Sequence, residues 1–236
     1  MTGLRALYFV LALSGAAQAE SCRLALVLAL DVSGSVDPIE YAQQVNGLAD
    51  ALNDPDVRAQ ILDGAGVHVS LAVFEWSSRN HQYVIQPWTQ LTSDAALDDA
   101  ILRIRRHRKV RAGLKTALGT ALNFGANLLD RQTQCWERTI DVSGDGKNNI
   151  GLTPAQLYQS SAFDQITVNA LVIGGAIENA DDIAAKAGLL HYYETEVIHG
   201  TSSFAMIALG YQDYAAAMRR KLIRELEAPV LGASEY

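Results

Sequence analysis

The chain has 236 residues, 49% of them hydrophobic and 19% charged, enough to bury one large core and too apolar for a disordered segment. Its formal charge of -7 argues against general nucleic-acid binding. The N-terminus departs from this composition: Arg5 precedes an apolar run over 6–14, and Ala17-Gln18-Ala19 has the small-x-small form of a signal-peptidase site. Residues 1–19 are therefore expected to be a signal peptide. The apolar run is shorter than the roughly 20 residues a spanning helix needs, so no transmembrane segment is expected in the mature chain. Loss of Arg5 leaves that chain more acidic still, and it retains Cys22 and Cys135. In an oxidising compartment these two are expected to form one disulfide that ties down the new N-terminus.

The elements follow in order. Residues 24–30 are continuously apolar, the pattern of a central strand covered on both faces. Asp37, Pro38 and Glu40 form a capping box that opens a helix, and Tyr41, Val45, Leu48 and Leu52 give that helix a buried stripe. Residues 67–74 alternate as a second strand, with a short edge partner at 83–85. Leu97, Ile101 and Ile104 mark a helix that runs into the basic segment 103–115, and Leu118, Leu122, Leu128 and Leu129 mark the next. Residues 138–142 are a strand, Thr153-Pro154 with Gln156 caps another helix, and 166–173 is a strongly apolar strand. A helix over 180–187, a long polar loop over 189–202, a last strand at 203–209 and an amphipathic helix carrying Tyr211, Tyr214, Met218, Leu222 and Ile223 complete the domain, 20–227. The tail 228–236 is expected to be loose.

Strands that alternate with helices predict an α/β fold: a three-layer, doubly wound, mostly parallel sheet with one antiparallel edge strand. Ligands of such sheets bind outside the carboxyl ends of the strands. Two turns lie there, Asp31-Val-Ser-Gly-Ser35 and Asp141-Val-Ser-Gly-Asp145, each after an apolar strand. Carboxylates and hydroxyls brought together at strand ends suit a hard divalent cation such as Mg2+. Taken alone, either turn is explained by the local hydrogen bonding that favours Asp, Ser and Gly in turns.

Other chemistries fit less well. The run from Asp141 imitates an EF-hand loop, but its twelfth position is Leu152 where a bidentate Glu is required. Ser33 stands where an aspartyl-phosphate enzyme would need a second carboxylate. There is no G-x-S-x-G elbow, H-E-x-x-H helix or Walker loop, and His68, His81, His107, His191 and His199 have no zinc spacing.

Asp31-Val-Ser-Gly-Ser35 resembles the D-x-S-x-S element of the metal-ion-dependent adhesion site (MIDAS) of von Willebrand factor A-type domains. Thr116-Ala-Leu-Gly119-Thr-Ala121-Leu122 is similar to that family's threonine element, and Asp145-Gly146 to its third, in family order. The likeness is greatest to an exported bacterial subfamily of unknown function that carries the same D-V-S-G-D-G turn. The usual third element is T-D-G, whereas Ser143-Gly144 precedes Asp145 here, and Asp145 rather than Asp141 is the expected site residue.

The resemblance implies that Ser33 and Ser35 ligate the metal through hydroxyls, that Thr116 ligates directly, and that Asp31 and Asp145 hold metal-bound waters. It implies Mg2+ first, with Mn2+ or Ca2+ as alternatives, and a protein or peptide partner whose Asp or Glu carboxylate completes the coordination. The function expected is a periplasmic or secreted binding module with no catalytic residues. The runner-up is a hydrolase using the same cation as a Lewis acid. The basic segment reads either as a solvated helix end or as a field that steers an anionic partner.

Overall fold

The computed structural model describes residues 20–110, 112–175 and 180–227. The expected leader 1–19 and tail 228–236 lie outside the described residues, as does Arg111 of the basic segment.

Six strands form one sheet in the order β3-β2-β1-β4-β5-β6: β1 Ser21–Asp31, β2 Val67–Trp76, β3 Gln82–Leu91, β4 Glu137–Gly144, β5 Thr167–Ile173 and β6 Ala205–Ala208. All neighbours are parallel except β2 and β3, which makes β3 the antiparallel edge. The helices are α1 Pro38–Leu52, α2 Pro55–Leu62, α3 Asp94–Arg106, α4 Leu118–Leu129, α5 Pro154–Leu157, α6 Ala180–Tyr192 and α7 Tyr214–Leu226. The three-layer architecture is that expected from the alternation of strands and helices.

β1 is apolar throughout because helices cover both faces of a central parallel strand. Leu24, Leu26, Leu28 and Leu30 face a core shared with α1, α3 and α7, while Ala25, Val27 and Ala29 face one shared with α4. Small residues on the second face let α4 approach the sheet closely. From β1 the chain winds outward through β2 to β3, and from β4 it winds the other way to β6. The strand order thus reverses between β1 and β4, and the crevice outside their carboxyl ends is the ligand position of this topology.

Cys22 and Cys135 form a disulfide across a sequence separation of 113. It fastens the start of β1 to the loop before β4, where Trp136 N–H also donates to Cys22 O at 2.9 Å. Closing so long a loop removes denatured-state freedom worth roughly 4–5 kcal/mol in chain-entropy terms.

The structure departs from the sequence reading at several elements. α2 has no counterpart in that reading, although Asp54-Pro55 repeats the cap logic of Asp37-Pro38: the Asp54 side chain accepts from Asp56 N–H. β3 runs ten residues rather than three, its alternation blurred by Pro87 and by one uncovered side. Thr153 and Gln156 do form a capping box, yet the helix they open is a single turn. The polar segment 189–202 is not a loop throughout, since α6 continues to Tyr192 and a π-helical turn spans Tyr193–Val197. Tyr193 and Val197, four residues apart, are both fully buried and hold that turn against the sheet. Among the described residues no helix is long and apolar enough to cross a membrane.

Candidate functional site

The first turn is built by the end of β1 and the capped start of α1. Asp31 is the last residue of β1 and is fully buried. Its Oδ1 accepts from Ser33 N–H at 2.8 Å, which bends the chain so that Ser33 Oγ and Ser35 Oγ lie 3.4 Å apart. The Asp31 carbonyl is held by Gln44 Nε2 at 2.9 Å, from a glutamine buried on α1. Asp37 accepts from Ile39 and Glu40 N–H while Glu40 returns a bond to Asp37 N–H, fixing where the turn ends.

The second motif is not a turn as expected, since Asp141 to Gly144 lie within β4; Asp145, just past its end, reaches the first turn. Ser35 Oγ donates to Asp145 Oδ1 at 2.9 Å, and Tyr211 OH donates to Oδ2 at 3.3 Å. Asp141 lies elsewhere: it ion-pairs with Lys221 Nζ at 2.6 Å inside the core. The residue between them explains the departure from T-D-G. A Cβ on Gly144 would lie 2.3 Å from Tyr193 OH and 3.4 Å from Asp31 Oδ2. Glycine here lets the buried Tyr193 press against the end of β4, where its hydroxyl donates to Gly146 O at 3.1 Å and anchors the loop that carries Asp145.

Thr116 is buried just before α4. Its N–H donates to Asn149 Oδ1 at 3.0 Å and its carbonyl accepts from Asn149 N–H at 2.9 Å, so the threonine and aspartate loops are bonded to one another. α4 has no side-chain cap of its own; Asn148 Oδ1 accepts from Gly119 N–H at 3.2 Å in its place. Glycine is required at 119 by the neighbouring Leu152 carbonyl, whose oxygen would lie 2.0 Å from a Cβ there. Thr116 Oγ1 faces Gly146, 3.8 Å from where a Cβ would stand.

Asp31, Ser33, Ser35 and Asp145 are therefore joined by hydrogen bonds, and Thr116 is tied to the same loop from the other side. Tyr193, Tyr211, Gln44, Asn148 and Asn149 complete the arrangement without having been singled out from sequence. The pair Asn148-Asn149, one residue after Asp145-Gly146, was the one local signal, since side-chain amides suit the capping of unpaired backbone groups.

The electrostatics leave negative charge largely uncompensated, Lys109 being the smallest of the influences on Asp31. Burial pushes the Asp31 carboxyl up to about 7, with repulsion from Asp145 the next cause. Asp31 Oδ2 is buried without a hydrogen-bond partner, and among the described residues neither Asp31 nor Asp145 is ion-paired. Burial likewise raises the Tyr193 and Tyr211 hydroxyls, with Asp31 and Asp145 respectively the next cause, so both remain neutral donors at physiological pH. No three His, Cys, Asp or Glu side chains converge among the described residues, so a cation here would depend on hydroxyl donors as well. Two carboxylates, one of them with an orphaned oxygen, and three hydroxyls form an all-oxygen set that fits a hard divalent cation and does not favour a thiophilic one.

Comparison with known proteins agrees with this architecture. The model of a family described as "Protein of unknown function (DUF1194)" matches residues 21–230. No curated protein sequence matches the chain. The fold is similar to that of proximal thread matrix protein 1 from the mussel byssus, at 15% identity and TM-score 0.58 over 88% of this chain and 48% of that one. A second structure of that protein, described as having a zinc-occupied MIDAS motif, gives 15% identity and TM-score 0.57 over 88% of this chain and 48% of that one. A von Willebrand factor type A protein from Catenulispora acidiphila gives 17% identity and TM-score 0.56 over 86% and 43%. The pilus adhesin SpaC from Lactobacillus rhamnosus GG gives 15% and 0.57 over 86% and 31%. The chain thus spans less than half the length of each of these, and at such identities the likeness is one of fold. With the family model matched across nearly the whole domain and the sheet order described above, the chain belongs to this family of unknown function and has the von Willebrand factor A-type fold.

Proposed function

We propose that the protein is an exported binding module that captures a carboxylate of a protein or peptide partner through a divalent cation held by Asp31, Ser33, Ser35, Thr116 and Asp145. The observation that carries this reading is the buried, unpartnered Asp31 Oδ2 beside a second carboxylate and paired serine hydroxyls. When bound, the cation would supply positive charge to an outside Asp or Glu. Ser33, Ser35 and Thr116 would contribute neutral oxygens, which leave most of the cation's charge available to the partner. Asp31 and Asp145 would balance part of that charge, and Tyr211 and Tyr193 would hold the Asp145 loop in place.

Mg2+ is the first choice on donor hardness, with Mn2+ and Ca2+ as alternatives. The mussel relative with zinc in its MIDAS motif supports a divalent site on this fold. Export is supported by the leader-like sequence over 1–19 and by the Cys22–Cys135 disulfide, since such bonds persist in oxidising compartments. The adhesin and byssus-matrix relatives are consistent with a binding role outside the cytoplasm.

Isothermal titration of Mg2+ and Mn2+ tests the reading. The full chain is expected to bind one ion, and Ser33→Ala to weaken binding by about tenfold or more, the loss of one direct oxygen donor. Absence of binding by the wild type, or equal binding by the variant, would overturn it.

A further inference from the structure

Three arginines of the last turn of α3 lie outside the cation site and divide into two sets. Arg105 turns toward α1 and pairs with Asp50 at 2.8 Å. Arg103 and Arg106 form no ion pair among the described residues; they line a cavity of about 680 Å³ between α3 and the open edge strand β3. Residues 99, 102, 103 and 106 of α3 share one stripe of the helix, so these two guanidiniums and Leu102 face the same space. Such a volume lies within the range of small-molecule sites.

Two further observations define what the space accepts. Its surface is mostly polar, yet two large side chains stand uncovered in it: Leu102 is 44% and Tyr83 47% exposed. Its inner end is fixed, because His107 Nε2 lies 3.3 Å from the buried Glu75 carboxylate and its ring stacks on Tyr83 at 5.6 Å and 25°. Asp99, one turn before Arg103, makes the far end negative. A ligand charged along its whole length would meet that carboxylate, whereas one with a single acidic head would not.

We propose that this cavity is a second ligand site, separate from the cation site, for an amphipathic organic anion. Its acidic head would lie on Arg103 and Arg106, and its apolar body would cover Leu102 and Tyr83. Guanidiniums recognise carboxylate, sulfonate or phosphate oxygens through paired N–H donors, and the exposed Leu102 and Tyr83 side chains gain free energy when an alkyl or aryl group replaces water.

The probe is 8-anilinonaphthalene-1-sulfonate, which carries one anionic group on an aromatic body, titrated by fluorescence into the full chain. Saturable binding is expected, displaced by decanoate and much less by inorganic phosphate. R103A/R106A, with unchanged circular dichroism, is expected to weaken the dye by about tenfold or more, and L102S by about threefold. EDTA and Ser33→Ala are expected to leave it unchanged. Equal binding by R103A/R106A, displacement by phosphate as effective as by decanoate, or loss of binding in EDTA would each overturn the proposal.

Discussion

The tetrapeptide Asp-Val-Ser-Gly occurs twice, on adjacent strands, and its two aspartates have opposite fates. Asp31 ends β1 on the face that carries Val27 and Ala29, toward α4 and Tyr193, and forms no ion pair among the described residues. Asp141 stands opposite Leu28, three positions deeper in the sheet, and faces α7, where it pairs with Lys221. Lys221 also meets Glu225 at 2.7 Å, and Asn169 Nδ2 donates to the same Glu225 oxygen at 2.8 Å. Identical local sequence thus yields a carboxylate with an unpartnered oxygen in one place and one paired with a buried lysine in the other. What separates them is register and the element packed over each, and neither is a local property.

The largest effect that sharpens this contrast is expected from Lys221→Met. Removing the cation strands two buried carboxylates, at a cost of about 3–5 kcal/mol in urea unfolding. Mg2+ affinity of the folded protein should not change, the reverse of the pattern expected for Ser33→Ala. A parallel loss of metal binding in Lys221→Met would show that the two turns act as one unit.

A smaller effect is expected from Gly144→Ala, which places a methyl against the Tyr193 hydroxyl. Tyr193 is fully buried and has no room to withdraw, so the expected cost is about 1–3 kcal/mol, with weaker Mg2+ binding as the Asp145 loop shifts. In a Tyr193→Phe background the methyl meets no oxygen. A double-mutant cycle should then show a combined cost smaller than the sum of the two single costs; strict additivity would mean that the methyl and the Tyr193 hydroxyl do not compete for the same space.

Much of the fold was legible in sequence because its signals are local or periodic. The two-sided apolar run of β1, the capping box at Asp37 and Glu40, and the strand–helix alternation each follow from the residues themselves. The grouping of Asp31, Ser33, Ser35 and Asp145 was legible only through likeness to a family pattern, because Ser35 and Asp145 are 110 residues apart. Tyr193 was not legible. It lies between His191 and Glu194 in a polar stretch, and its burial arises from contact with Gly144 on a distant strand. Asn149 was missed for a related reason: its bond to Thr116 spans 33 residues and depends on where α4 begins.

The last effect concerns pH. Asp141, Lys221 and Glu225 together would carry one net negative charge in the core if all were ionised, and holding one proton removes it. Burial, then repulsion from Glu225, pushes the Asp141 carboxyl from 3.8 up to about 8, against the opposing influence of Lys221. A carboxyl raised in the folded state binds its proton there more tightly than in the unfolded chain. Its contribution to stability is therefore fully present below about 4 and is lost as pH rises toward about 8. Asp141→Asn keeps the shape and removes the proton, so the variant should gain stability relative to wild type between pH 5 and pH 8. Urea unfolding in EDTA at the two values would measure this, since chelation keeps metal linkage at Asp31 out of the comparison. A wild-type protein that gains stability relative to Asp141→Asn over that interval would mean that Lys221 fully compensates Asp141 as an ionised partner, and that the core triad carries its net charge rather than a proton.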